Sequence, residues 1–317
     1  MENEQLVTTP SFKKEKHGSM KRRRIVGNTA IYTVLILICI IWLIPFVLIL
    51  LQSLNVDWYF DDMKAVEDGY LTEIRRGGMC MGTIFPTHWG FQNYINLFTK
   101  SNFLTWFLNT FLIALATSVV QTIMVLTMAY TLSRLRFKGR KFLMNFMLVL
   151  GMFPGFLTML VLYTVLKDMH LTQEGAIGGL ILVYCASSGM GYYISKGFFD
   201  TVPKSLDEAA RIDGASRLQV MLKVILPLSK PIIIYTVLTA FMGPWGDFMF
   251  ARMLTNNWDA SYNVAVGLWA FLDADQVGTS YTLFCAGGVI VAIPITLLFM
   301  FLQRYYVEGV TGGAVKG

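Results

Sequence analysis

Charge is what this sequence has least of. Asp, Glu, Lys and Arg make up only 15% of its 317 residues, where a soluble domain carries about 25%. With 55% hydrophobic residues and a mean hydropathy of +0.55, a soluble globular fold is excluded and a membrane protein is indicated. Cysteine is scarce and scattered: Cys39, Cys185 and Cys285 lie in apolar runs as small hydrophobes, and Cys80 has no evident partner, so no disulfide framework is implied. His17, His88 and His170 stand alone, and nothing has metal-ligand spacing. The Gly-x-x-x-x-Gly-Lys-Ser/Thr phosphate loop is missing, which excludes ATP binding of that kind. Clustered His, Asp, Glu or Ser groups within apolar runs, the requirement of a membrane enzyme, are missing too. No catalytic residue, metal or cofactor is expected here, so any energy source must be a partner.

What is there is a series of long apolar runs separated by charge. Residues 1–27 form a basic arm containing Lys13, Lys14 and Lys16, then Lys21 to Arg24. The uncharged stretch that follows exceeds the roughly 20 residues needed to span a bilayer, so an uncleaved first helix is expected over 28–52 with the arm on the cytoplasmic side. Residues 53–102 mix acids and bases without a basic surplus and are assigned outside, with Trp58, Tyr59, Trp89 and Trp106 at the membrane interface. A core of five helices is expected over 103–302. Its second span ends in Arg134, Arg136, Lys138, Arg140 and Lys141, an acid-free connection placed in the cytoplasm. The third, about 142–166, should kink at Pro154. The fourth, about 175–195, has a Gly/Ala/Ser-rich face including Ser187 and Ser188, suited to close packing or to lining a path.

The fifth span, about 231–252, should break at Gly243-Pro244 and carries Asp247 a turn later. A carboxylate at bilayer depth costs about 2.5–3.5 kcal/mol on insertion scales, so Asp247 should either pair, with Arg252 a candidate, or sit hydrated near the outer surface. An outer loop over 255–278 brings Asn256, Asn257, Trp258 and Trp269 together with Asp273 and Asp275. Aromatic faces beside amides and carboxylates suit sugar binding, but an interfacial belt looks the same. A sixth span over about 279–302 leads to the tail, 303–317. Both termini then lie inside, and the fold class is an all-α membrane protein with six transmembrane helices.

Between the fourth and fifth spans, in a loop over 196–230 that the charge count places in the cytoplasm, lies a polar island. Ser205 followed by Glu208 is a capping box, so a helix should start there. Gly214 should end it in the left-handed conformation. Ser216 and Gln219 repeat the capping spacing, and Leu218, Met221, Leu222 and Ile225 form an apolar stripe that Pro227 should terminate. A DNA-reading helix-turn-helix would look similar, but Asp207, Glu208 and Asp213 oppose Arg211, Arg217 and Lys223, which leaves no basic footprint; no nucleic-acid partner is expected.

Glu208-Ala209-Ala210, with Gly214 four residues on and Leu226-Pro227 after a spacer, resembles the EAA loop of permease subunits in ATP-binding-cassette (ABC) importers; Val224 stands where isoleucine is usual. Asn93-Tyr94-Ile95-Asn96-Leu97-Phe98, Pro244-Trp245-Gly246-Asp247-Phe248 (with Gly246 in place of a common asparagine) and the Gly312-Gly313-Ala314-Val315-Lys316-Gly317 tail resemble the carbohydrate-type, maltose-like members. The resemblance implies a cytoplasmic coupling helix built on Glu208, Ala209, Ala210, Arg211, Asp213, Gly214, Leu226 and Pro227, and a path lined near Pro154, Gly243, Pro244 and Asp247. Asn256, Asn257, Trp258 and Trp269 would face a sugar or its binding protein. Implied partners are a second homologous permease, an ATPase dimer that binds ATP and Mg, an extracytoplasmic sugar-binding protein and the lipid of a bacterial-type inner membrane. A stand-alone secondary transporter is the alternative, but it predicts ionisable residues in several spans, where only Asp247 is found. The segment near 56–85 has no assigned role.

Overall fold

The computed structural model describes residues 17–78, 85–186, 189–273 and 277–314, with side chains from Arg24 to Gln303 except 189–190 and 277. Lys13, Lys14, Lys16, Cys80, Ser187, Ser188, Asp275 and the end of the tail, 315–317, lie outside the described residues. All named elements among the described residues are helical. The chain divides into Met1–Leu48 and Ile49–Gly317. The first holds most of α1 (His17–Ser53), whose 24–48 stretch is exposed, as an apolar helix without a polar face must be until lipid or protein covers it.

In the second unit, α2 (Asp57–Glu67) and α3 (Gln92–Thr99) precede α4 (Phe103–Arg134). Next come α5 (Arg140–Gly151) and α6 (Gly155–Asp168), then α7 (Ala176–Ala186) and α8 (Gly189–Thr201). The polar island forms α9 (Lys204–Ile212), α10 (Arg217–Val220), a π turn over Met221–Ile225 and α11 (Leu226–Leu228). Then follow α12 (Lys230–Gly246), α13 (Met249–Thr255), α14 (Val264–Ala270) and α15 (Val277–Ala314). Among the described residues, four stretches are long and apolar enough to cross a bilayer, Arg24–Ser53, Phe103–Arg134, Gln173–Thr201 and Gly278–Gln303. The number rises to six if α5 with α6 (98° bend) and Arg217–Leu228 with α12 (87° bend) each count as one span.

α4 is the centre of this unit: it packs on α12, α8 and α7, while α12 packs on α15. Two apolar clusters result. One joins Phe103, Trp106, Ile113, Leu180, Trp245, Leu254 and Leu283; the other joins Leu126, Tyr130, Phe199, Val220 and Ile225 at the far end of α4.

Proline does more than kink the third span. Pro154 stands in an extended conformation (ψ 123°) ahead of α6 and turns the chain through 98°. In the fifth span the expected break at Gly243-Pro244 is displaced: α12 continues through Pro244 to Gly246 and is capped by Asp247, whose ψ is 106°. Asn263 explains the shift, because its amide donates to the carbonyls of Pro244 (3.3 Å) and Asp247 (2.7 Å), groups that a helix end leaves open. Its Oδ1 also accepts from the Val266 N–H at 3.0 Å and so starts α14.

The segment near 56–85 is folded over its described part. Trp58 is 2% exposed, and its indole N–H donates to Asn93 Oδ1 at 3.0 Å. Asn93 in turn donates to the carbonyls of Ser53 and Asn55. Arg75 makes a two-pronged contact with Asp62, and Gly78 N–H donates to Thr282 Oγ1 of α15 at 3.2 Å. The expectation of interfacial Trp58 and Trp106 is therefore corrected, since both rings are buried with partnered N–H groups; Trp89 is exposed.

Candidate functional site

The polar island meets the spans at the C-terminal end of α4. Its first helix starts two residues earlier than the capping box at Ser205 predicts. Pro203 occupies the cap position with φ −58° and ψ 131°, which proline's ring favours, so Ser205 falls inside the first turn where its hydroxyl cannot cap. The expected stop holds: α9 ends at Ile212, and Gly214 adopts φ +85°. The second capping box also forms, Ser216 Oγ accepting from the Gln219 N–H and Gln219 Oε1 from the Ser216 N–H. Pro227 does not end the second helix. The turn ahead of it widens, Leu226 N–H reaching five residues back to Met221, and the chain stays helical to Leu228. Of the expected stripe, Met221 and Ile225 are buried, whereas Leu218 and Leu222 are exposed.

Glu208, Ala209, Arg211, Asp213 and Gly214 face outward, Ala210 and Leu226 are half-buried, and Pro227 is exposed. Sequence reasoning missed what holds this segment. Arg134, with a side chain 3% exposed, donates through one Nη to the carbonyls of Phe199 (2.7 Å) and Val202 (2.8 Å) at the end of α8. The Phe199 carbonyl also accepts from the Val202 N–H at 3.2 Å in the closing turn, and the carbonyls at a helix C-terminus favour a cation. Arg134 Nε lies 3.3 Å from Asp207 Oδ2 as an ion pair without hydrogen-bond alignment, and Arg134 Nη1 and Asp207 Oδ1 are buried without hydrogen-bond partners among the described residues. Burial pushes the Asp207 carboxyl above its ordinary range, and Glu208 adds to this; Arg134 and Lys204 offset only part of it. Beside this pair, Tyr130 donates to the Arg217 carbonyl at 3.0 Å, and Ser133 donates to Asp200, which also accepts from Lys196. A cleft of 390 Å³ opens between α9 and the α4–α5 connection, lined by Asp207, Glu208, Arg136 and Arg140 among others. The only signal in the sequence was the basic cluster at 134–141, read for topology alone.

The other candidates lie elsewhere. Pro154 is exposed at the α5–α6 bend, Gly243 is exposed and Pro244 is buried. Asp247 pairs neither with Arg252 nor with water alone: Tyr184 of α7 donates to its Oδ2, and Phe250 N–H to its Oδ1. Arg252 instead donates to Tyr262 Oη at 2.7 Å. Asn256 and Asn257 have φ of 41° and 68° and close α13, a backbone role that asparagine fills more readily than branched residues. Trp258 is exposed, and Trp269, half exposed, packs on Phe248 at 5.1 Å. The loop that holds them is not open chain, because α14 and the Trp106–Asp259 hydrogen bond shape it.

Bent apolar spans around α4 and an outward-facing helix hung between two of them define a multi-pass integral membrane protein of the permease type. The model of the family described as "Binding-protein-dependent transport system inner membrane component" matches residues 125–312, and the chain belongs to that family. It is 36% identical over 239 residues to the galactooligosaccharides transport system permease protein GanQ of Bacillus subtilis (strain 168), covering 74% of this chain and 83% of that one. It is 34% identical over 260 residues to the maltose/maltodextrin transport system permease protein MalG of Vibrio vulnificus (strain YJ016), covering 77% and 87%. Among solved structures, a bacterial ABC transporter involved in alginate import shares the fold with a TM-score of 0.70 at 21% identity, over 94% of this chain and all of that one.

Proposed function

We propose that this chain is a permease subunit of a sugar-importing ABC transporter in a bacterial inner membrane, taking an oligosaccharide of the maltodextrin or galacto-oligosaccharide kind. The relatives' names support the substrate class. The observation that carries the coupling role is the surface of the island. α9 buries none of its residues, yet Leu206, Ile212, Leu218 and Leu222 of the island are 42%, 86%, 62% and 50% exposed. Apolar side chains gathered on a short polar segment mark a surface that another protein covers. An ATPase subunit seated there, one of a dimer holding ATP and Mg, would move α9 as it closes.

In this reading the chain has six spans with both termini and residues 196–230 in the cytoplasm, and alternates between inward- and outward-open states. It pairs with a second homologous permease and receives sugar from an extracytoplasmic binding protein. Asp247 and Tyr184, a polar pair in the broken fifth and fourth spans, face the path with Pro154, Gly243 and Pro244 near its bends. Asn256, Asn257, Trp258 and Trp269 lie on the outer side.

Purification from native membranes in mild detergent tests this. The chain should bring down a P-loop ATPase and a second permease, and ATP hydrolysis should rise when oligosaccharide and binding protein are added. Recovery of the chain alone, under conditions that preserve a known complex, would overturn it.

A further inference from the structure

α9 is joined to the chain through an extended Pro203 on one side and a left-handed Gly214 on the other. Neither junction continues helical hydrogen bonding stiffly into a span, so backbone alone would let α9 swing without moving the membrane helices. Ala210 packs on the apolar cluster at the C-terminal end of α4, and one charged side chain crosses the gap. Arg134 is rooted on α4, its guanidinium is tied to two carbonyls at the end of α8, and its Nε faces Asp207 of α9.

Resting on the function proposed above, we propose that Arg134 is the positioning residue that passes displacement of α9 to α4 and α8, with Asp207 as its contact on the moving helix. The pair is a poor source of stability. Burial raises the Asp207 carboxyl, and attraction to Arg134 does not fully offset it; one Nη of the arginine and one oxygen of the carboxylate lack hydrogen-bond partners among the described residues. A buried ion pair of this kind adds little to stability beyond what well-packed apolar residues in place of both partners would give, although losing one partner alone strands the other charge. Its use lies in joining elements, and transport per ATP in assembled complexes reads that use apart from stability.

The test uses the whole complex in vesicles, comparing sugar transported per ATP hydrolysed. Asp207→Asn keeps the shape and removes the charge. It should lower thermal stability, because the Arg134 guanidinium stays buried without its counter-charge, yet leave the ATPase bound in complexes that assemble, while transport per ATP in those complexes falls about three-fold or more. Asp207→Glu restores the charge and should recover most of the ratio. Arg134→Lys, whose single ammonium lacks the planar fork that reaches two carbonyls and the carboxylate together, should lower the ratio. A charge swap is not expected to rescue, because a carboxylate at 134 would face the Phe199 and Val202 carbonyls. Wild-type ratios for Asp207→Asn and Arg134→Lys in complexes that retain the ATPase would overturn the inference and leave the proposed function standing. So would losses of assembly with no change in ratio. If the wild-type chain binds no ATPase, the proposed function fails, and the inference with it.

Discussion

Single residues decide where this chain can and cannot change. A Cβ built on Gly267 would lie 2.1 Å from the Trp106 ring, and Trp106 cannot yield because Asp259 holds its N–H at 3.0 Å and Phe271 packs on its face. Gly267→Ala should therefore lower stability by about 1–3 kcal/mol, read as a fall in the thermal midpoint in detergent. Asp57 carries a pH dependence. Burial raises its carboxyl, but the N–H groups of Thr87 and His88 and the His88 ring outweigh this and leave it below the ordinary range. The folded state then binds its proton less readily than the unfolded one. The stabilisation is present above the ordinary carboxylate range and is lost as pH falls through the folded value. Hydrogen-exchange protection over the described part of 55–90, corrected for intrinsic rates, should drop in acid, and Asp57→Asn should show the low-protection state already at neutral pH. None of these partners was legible in the sequence. Trp58 and Trp106 are written as interfacial residues are written, and only the fold supplies Asn93 and Asp259 to bury them.

At the scale of elements, the signals that were read correctly are local ones. Gly214 ends α9, Ser216 and Gln219 form the cap of α10, and proline breaks the third span; each rests on the dihedral or hydrogen-bonding habit of one or two residues. The misplaced boundaries have non-local or competing causes. Asn263, distant in sequence, moves the end of α12 beyond Pro244, and Pro203 takes the cap position from Ser205. Nothing lies within 4 Å of a Cβ on Gly214, so strain rather than collision governs substitution there. Gly214→Ala should cost about 1–2 kcal/mol through its left-handed backbone and reduce transport while the complex still assembles. Gly214→Asn, which tolerates that conformation, should recover most of the activity. If Ala and Asn behave alike, the left-handed turn does not matter for coupling. Asp247→Asn keeps an acceptor for Tyr184 but removes the charge; it should impair uptake more than assembly, whereas equal uptake would remove Asp247 from the path.

For the whole molecule, the membrane class and the all-helical fold were legible because they rest on composition and run length, and the family through the resemblance carried by Glu208-Ala209-Ala210 and Gly214, none of which needs knowledge of contacts. The tie between island and spans was not, because Arg134 and Asp207 are far apart in sequence and their pairing depends on how α4, α8 and α9 come together. The central claim is that α9 is the surface an ATPase covers. A photo-crosslinking residue placed at Arg211, exposed on α9, tests it directly in native membranes, with Tyr70, 83% exposed before α3, as the comparison. The account predicts an adduct with a P-loop ATPase from position 211, altered in yield by ATP, and none with that protein from position 70. An ATPase adduct from position 70, or none from position 211 in a membrane that transports the sugar, would contradict it.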